Sequence, residues 1–143
     1  MKTQSQQDME LAAKLVGAVA AKYRNVDDKE RKTFGGLCHS FPIMVRTCGL
    51  CQALAFSIDK ATVSGNGPSD INIAHHLLLD HTGWLLFDRV ASQDEVLRRV
   101  REGSVVDYML DTRRVLSAWV FWKRFAVSIL KVENARDQEG VSQ

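Results

Sequence analysis

The stretch Phe34–Lys60, FGGLCHSFPIMVRTCGLCQALAFSIDK, decides how the rest of this chain is read. Gly35 and Gly36 loosen the backbone, Ser40 can cap, and Pro42 suits a first helical turn, where a missing N–H costs nothing. No further proline follows before Lys60, so the spacing predicts one long helix over 42–60. At 100° per residue, Ile43, Thr47, Leu50, Leu54 and Ile58 share one arc, with Met44, Cys51 and Ala55 on its shoulder. Nearly opposite lies a strip of Arg46, Gly49, Ala53 and Lys60, two minimal side chains flanked by two cations. A glycine inside a helix costs about 1 kcal/mol relative to alanine, so Gly49 needs a reason. Close contact with a neighbouring helix is one; a shallow groove where a phosphate backbone meets Arg46 and Lys60 is the other.

A second long pattern closes the chain. Ser104 offers a cap, and Val105, Tyr108, Met109, Thr112, Val115, Leu116, Trp119, Trp122, Ala126, Ile129 and Leu130 fill about half the circumference of one helix, which predicts burial along much of its length. Lys123 projects from that arc and must snorkel, pair with an acid or reach an anion. Phe121 and Phe125 fall on the far side near Arg114, where exposed aromatics beside a cation would suit a protein interface or a base-stacking platform.

Between these patterns the signals are local. A first helix is expected from about Gln7 to Tyr23, with Met9, Ala12, Ala13, Val16, Ala20 and Tyr23 on one face. The charged run at 24–32 reads as a loop or a solvated turn. Residues 62–69 have the composition of a mobile exposed loop, after which Ser69 or Asp70 caps a helix carrying Ile71, His75, Leu78, Leu79, Trp84 and Leu85, with Gly83 as a point of bending. Ser92-x-x-Glu95 is a capping box opening a short helix that Gly103 stops. From about 133 the tail is polar. No segment alternates as a half-buried strand, so the fold class is all-α: one helical domain over 1–143, a bundle of about five to seven helices with the 42–60 and 105–132 helices at its centre.

Composition narrows the function. The 143 residues, 45% of them apolar, are enough for one core. Three cysteines without a secretion leader read as reduced thiols, and Cys48-x-x-Cys51 falls in the second turn of the expected helix, away from the N-terminus where a redox pair is activated. Neither these cysteines nor His75, His76 and His81 have metal-ligand spacing, so no metal and no cofactor is expected. With no apolar run of about 18 residues, a cytoplasmic location without membrane contact is expected. Net charge is only +2, yet from Arg98 to Lys131 eight bases face three acids, a dense basic region that fits either a phosphate chain or a solvated helix face.

Two blocks also carry a resemblance. Leu37, Pro42, Arg46, Thr47, Gly49, Leu50, Gln52, Ala53, Leu54, Ala55, Phe56 and Lys60, followed by Tyr108, Thr112, Leu116, Trp119, Lys123, Arg124, Phe125 and Ala126, resemble the signature helix and the tryptophan-led C-terminal helix of the small all-helical subunit of type III-B CRISPR (Cmr) effector complexes. The blocks cover about a third of the chain. The resemblance implies a non-catalytic subunit of antiviral defence that stacks in several copies into a minor filament and helps hold target RNA against the crRNA. Its partners would be those RNAs, other effector subunits and further copies of itself. It implies phosphate contacts at Arg46, Lys60, Lys123 and Arg124; charge density adds Arg98, Arg99 and Arg113. The alternative is a helical protein–protein adaptor without RNA contact. The cysteine-rich signature helix and the glycine-containing loop at 64–67 depart from the family pattern.

Overall fold

Six helices form the described part of this computed structural model, residues 1–134: α1 (Gln4–Lys22), α2 (Lys29–Cys48), α3 (Leu50–Ala61), α4 (Asp70–Phe87), α5 (Gln93–Glu102) and α6 (Val105–Ser128). They make an all-α bundle. The tail expected from about 133 lies, beyond Asn134, outside the described residues. Thr3 with Gln6, Ser69 with Asn72 and Ser92 with Glu95 form reciprocal capping boxes that open α1, α4 and α5, and Ser104 Oγ accepts from the Asp107 N–H at the start of α6. The exposed connection at 62–69 uses positive φ at Gly65 and Gly67, and Asn72 Nδ2 donates to the Lys60 and Thr62 carbonyls to close it.

The long helix expected over 42–60 is two helices. α2 begins thirteen residues before Pro42, runs through Gly35 and Gly36, and ends at Cys48; Gly49, with φ of 89°, turns the chain into α3. Interior proline ordinarily costs about 3 kcal/mol, because it removes a donor to the carbonyl four residues back. Here that carbonyl belongs to Cys38, and Trp119 Nε1 of α6 donates to it at 3.1 Å. A tertiary contact replaces the missing helical bond. Gly35 serves packing rather than flexibility: a Cβ there would lie 2.5 Å from Val132 Cγ2. At Gly49 the added Cβ would meet the Tyr108 hydroxyl at 3.1 Å, and that hydroxyl accepts from the Cys51 N–H at the start of α3. Close approach of a neighbouring helix, together with the positive φ, accounts for Gly49.

The break also resets the helical phase. α3 buries Leu50, Ala53, Leu54 and Ser57, whereas Ile43 is 40% exposed and Thr47 is exposed. The expected arc therefore dissolves into two, and Ala53 moves from the supposed cationic strip into the core. α4 packs against all five other helices and buries residues around most of its circumference, so the centre of the bundle is α4 with α2 and α6. Its polar residues are answered there: His75 Nδ1 lies 3.0 Å from Ser57 Oγ, His81 Nδ1 accepts from Trp122 Nε1, and the Thr82 hydroxyl donates to the Leu78 carbonyl. Gly83 lets Ala91 and Val96 approach α4, which continues through it as one helix.

Trp119 and Trp122 stack with ring centroids 4.8 Å apart, and Phe41 meets Trp119 edge-on. Both tryptophans are wholly buried, as is Cys38, whose thiol burial pushes away from ionisation. Arg31, from the run read as a loop or solvated turn, is 6% exposed. It donates to the carbonyls of Tyr23 and Arg24 after α1 and of Ile129 and Leu130 after α6, joining two chain ends that face α2. Helix C-termini expose carbonyls, and a guanidinium with five fixed donors is suited to collecting them.

Candidate nucleic-acid interface

An open cavity of about 590 Å³ lies between the second half of α2 and the second half of α6. Arg46 enters it from α2, and Lys123 and Arg124 from α6. Trp119 and Trp122 anchor α6 in the core, and its Leu116, Val120, Lys123 and Val127 line the cavity beside α2. None of the three cations takes part in an ion pair within the described structure. Positive charge held on two rigid helices without a carboxylate to neutralise it is an anion-receptive surface. One wall is aliphatic, made by Pro42, Leu116, Val120 and Val127, and the ring of His39 borders the same space. His39 Nε2 donates to the Val132 carbonyl at 2.9 Å, and its Nδ1 is buried without a hydrogen-bond partner.

Three of the seven basic residues named from sequence thus meet in one place. Lys60 does not line this cavity; its ammonium sits 5.5 Å above the Phe56 ring, and its charge acts with burial to lower the pKa of His75. Arg98 and Arg99 lie at the opposite end of the molecule, in a cleft between α5 and α6 shared with Glu95, Glu102, Asp107 and Asp111. Arg99 is structurally committed there: it donates two 3.0 Å bonds to the buried Asp111 carboxylate, which raises its own pKa, and it covers the Phe87 ring. Arg101 pairs with Glu102, and Arg89 with Glu95, whose carboxyl the Arg89 hydrogen bond holds below its ordinary range. Arg113 occupies a third shallow site with Gln4 and Asp8, beside Arg114, which is paired with Asp8. The basic density counted along 98–131 is therefore dispersed around the molecule.

Two further readings change. Phe121 and Phe125 are half-buried against the core, so they offer no stacking platform. The start of α6, expected to be buried, presents Val105, Val106, Met109 and Leu110, each more than half exposed. Cys48 and Cys51 straddle the α2–α3 break, so Cys51 stands in the first turn of α3; its Sγ contacts the Val100 carbonyl. Among the described residues no three His, Cys, Asp or Glu side chains gather as a metal site, and no helix is long and apolar enough to cross a membrane. Val120, Val127 and Ser128 are cavity residues that the sequence did not single out, and His39 borders the same space. A lone histidine in mid-helix carries no motif, and only the meeting of α2 with the segment after α6 gives it a place.

Fold and cavity define a small all-helical protein with a cationic cleft between two of its longest helices. The chain belongs to the Cmr5 family: residues 4–129 match the family described as CRISPR-associated protein (Cas_Cmr5). It is accordingly a small subunit of type III-B CRISPR effectors, which act in antiviral defence. Its structure is similar to the crystal structure of a CRISPR-associated Cmr5 family protein from Thermus thermophilus, with a TM-score of 0.68 and 26% identity over 90% of this chain and 98% of that one. No curated protein matches the sequence.

Proposed function

We propose that this chain is a non-catalytic small subunit that stacks in several copies into a minor filament and helps hold target RNA against the crRNA, with the α2–α6 cleft as its main phosphate contact. The observation that carries this reading is the convergence of Arg46, Lys123 and Arg124, drawn from two helices and in no ion pair among the described residues. Such side chains track phosphates without reading sequence. Lys60, Arg98 and Arg113 stay in the proposal as outlying contacts, and Arg99 as the weakest, since Asp111 already holds it.

The protein-only adaptor finds its support elsewhere, in the exposed Val105, Val106, Met109 and Leu110. That patch serves contact with another effector subunit or the next copy, and it does not overlap the cleft. A filament along RNA requires a heterologous repeating contact, so an assembled complex that always contains one copy would contradict stacking. The RNA contact is tested by titrating RNA against single alanine variants of Arg46, Lys123 and Arg124 at several salt concentrations, with melting temperature followed in parallel. Each is expected to weaken all RNA sequences alike; normal affinity in all three folded variants removes RNA from the cleft.

A further inference from the structure

Phosphate alone leaves half of the α2–α6 cleft unexplained. A phosphodiester needs the cations, and a flat basic surface would serve it as well. The aliphatic wall of Pro42, Leu116, Val120 and Val127 offers it nothing, and Val120 is left 46% exposed. The site thus combines positive charge and apolar surface in a hollow of about 590 Å³. A nucleotide combines the two complements: an anion and a sugar–base body with large apolar faces. In a duplex those faces are stacked and cannot enter a cleft between helices, whereas in a single strand they are free.

We propose that the cleft seats one unpaired nucleotide of the RNA, its phosphate among Arg46, Lys123 and Arg124 and its sugar and base against Pro42, Leu116, Val120 and Val127. The proposal rests on the RNA reading above and specifies the state of the strand that is held. Base identity matters little, because an aliphatic wall reads no hydrogen-bond pattern.

The test uses the full chain, titrated by fluorescence anisotropy with a short single-stranded RNA, the same strand in perfect duplex, and the same strand carrying abasic riboses. Val120→Asn changes the half-exposed wall and leaves every cation in place. Single strand is expected to bind more tightly than duplex. Val120→Asn should weaken the single strand by about tenfold, the lower end of what one apolar contact in a pocket is worth, should weaken abasic RNA less, and should leave the duplex unmoved. Equal affinity for duplex and single strand, or an unchanged Val120→Asn variant, overturns the seated nucleotide; if the Arg46, Lys123 and Arg124 alanine variants still lose affinity, the phosphate contact survives. If those variants also bind normally, or the wild-type chain binds no RNA alone or within the complex, the RNA reading itself falls. A free nucleoside monophosphate that binds as tightly as the strand would assign the cleft to a soluble nucleotide instead.

Discussion

The surroundings of the two ends of α6 hold cations in opposite condition. At its start, beside α5, Arg99 is clasped by Asp111, Arg101 meets Glu102 and Arg89 meets Glu95. Toward its end, Lys123 and Arg124 join Arg46 of α2 with no carboxylate among the residues that line their cleft. The first group spends its charge on the fold; the second leaves its charge available to a partner. Local count cannot distinguish the two, because what matters is whether an acid lies across the gap. Among the described residues Arg46, Lys123 and Arg124 meet no acid, so four perturbations should separate the core, the paired end and the open end.

The largest effect belongs to the core between the ends. Trp119→Ala removes a wholly buried ring, its stack on Trp122 and the bond that compensates Cys38 for Pro42. It should cost about 3–5 kcal/mol in urea unfolding. A loss under about 1 kcal/mol, within the scatter of surface substitutions, would mean that Trp119 does not join the two ends.

Acid should act next, again through the core. Burial lowers His81 from 6.5 to about 4, and it lowers His75 as well, with Lys60 contributing. The unfolded chain therefore binds more protons than the folded one between these values. The stabilisation is complete above about pH 6.5 and is lost as pH falls toward 4, by about 3 kcal/mol for His81 at 1.36 kcal/mol per unit. Urea midpoints at pH 7 and 4.5 should show the drop, and His81→Gln should flatten it. A wild-type midpoint that does not move would place His81 in contact with water.

Asp111→Ala strikes the paired end. It removes the buried carboxylate that accepts two bonds from Arg99, and should cost about 1.5–3 kcal/mol without altering RNA affinity. If RNA binding rises instead, the freed Arg99 has become a phosphate contact, and the division between the two ends is one of pairing alone. The smallest change in stability is expected at the open end. Alanine at Arg46, Lys123 or Arg124 should shift stability by less than about 0.5 kcal/mol. Each should make the slope of log affinity against log salt shallower by about 0.7 for a single strand. A large fall in melting temperature for Lys123→Ala would show that its stem, half-buried beside Leu116, is structural.

How far the chain could be read in advance follows the range of the interactions. The all-α class, the caps at Ser69, Ser92 and Ser104 and the stop at Gly103 are written within one helical turn, and each stands where the sequence places it. Two blocks of residues were likewise enough to point to the family. Pro42 and Gly49 were misjudged because their meaning is not local. The proline is accommodated by Trp119, 77 positions on, and the glycine by Tyr108, 59 positions on. The same holds for charge. Arg114 is paired with Asp8 at the other end of the sequence, and Arg31 is consumed by carbonyls about a hundred residues away. Hydrophobic period and capping chemistry are properties of neighbours along the chain, so the sequence by itself determined the helical class and the family. Which cations are free depends on what the folded chain brings within about 4 Å of each, the reach of an ion pair, and only the tertiary structure decided that.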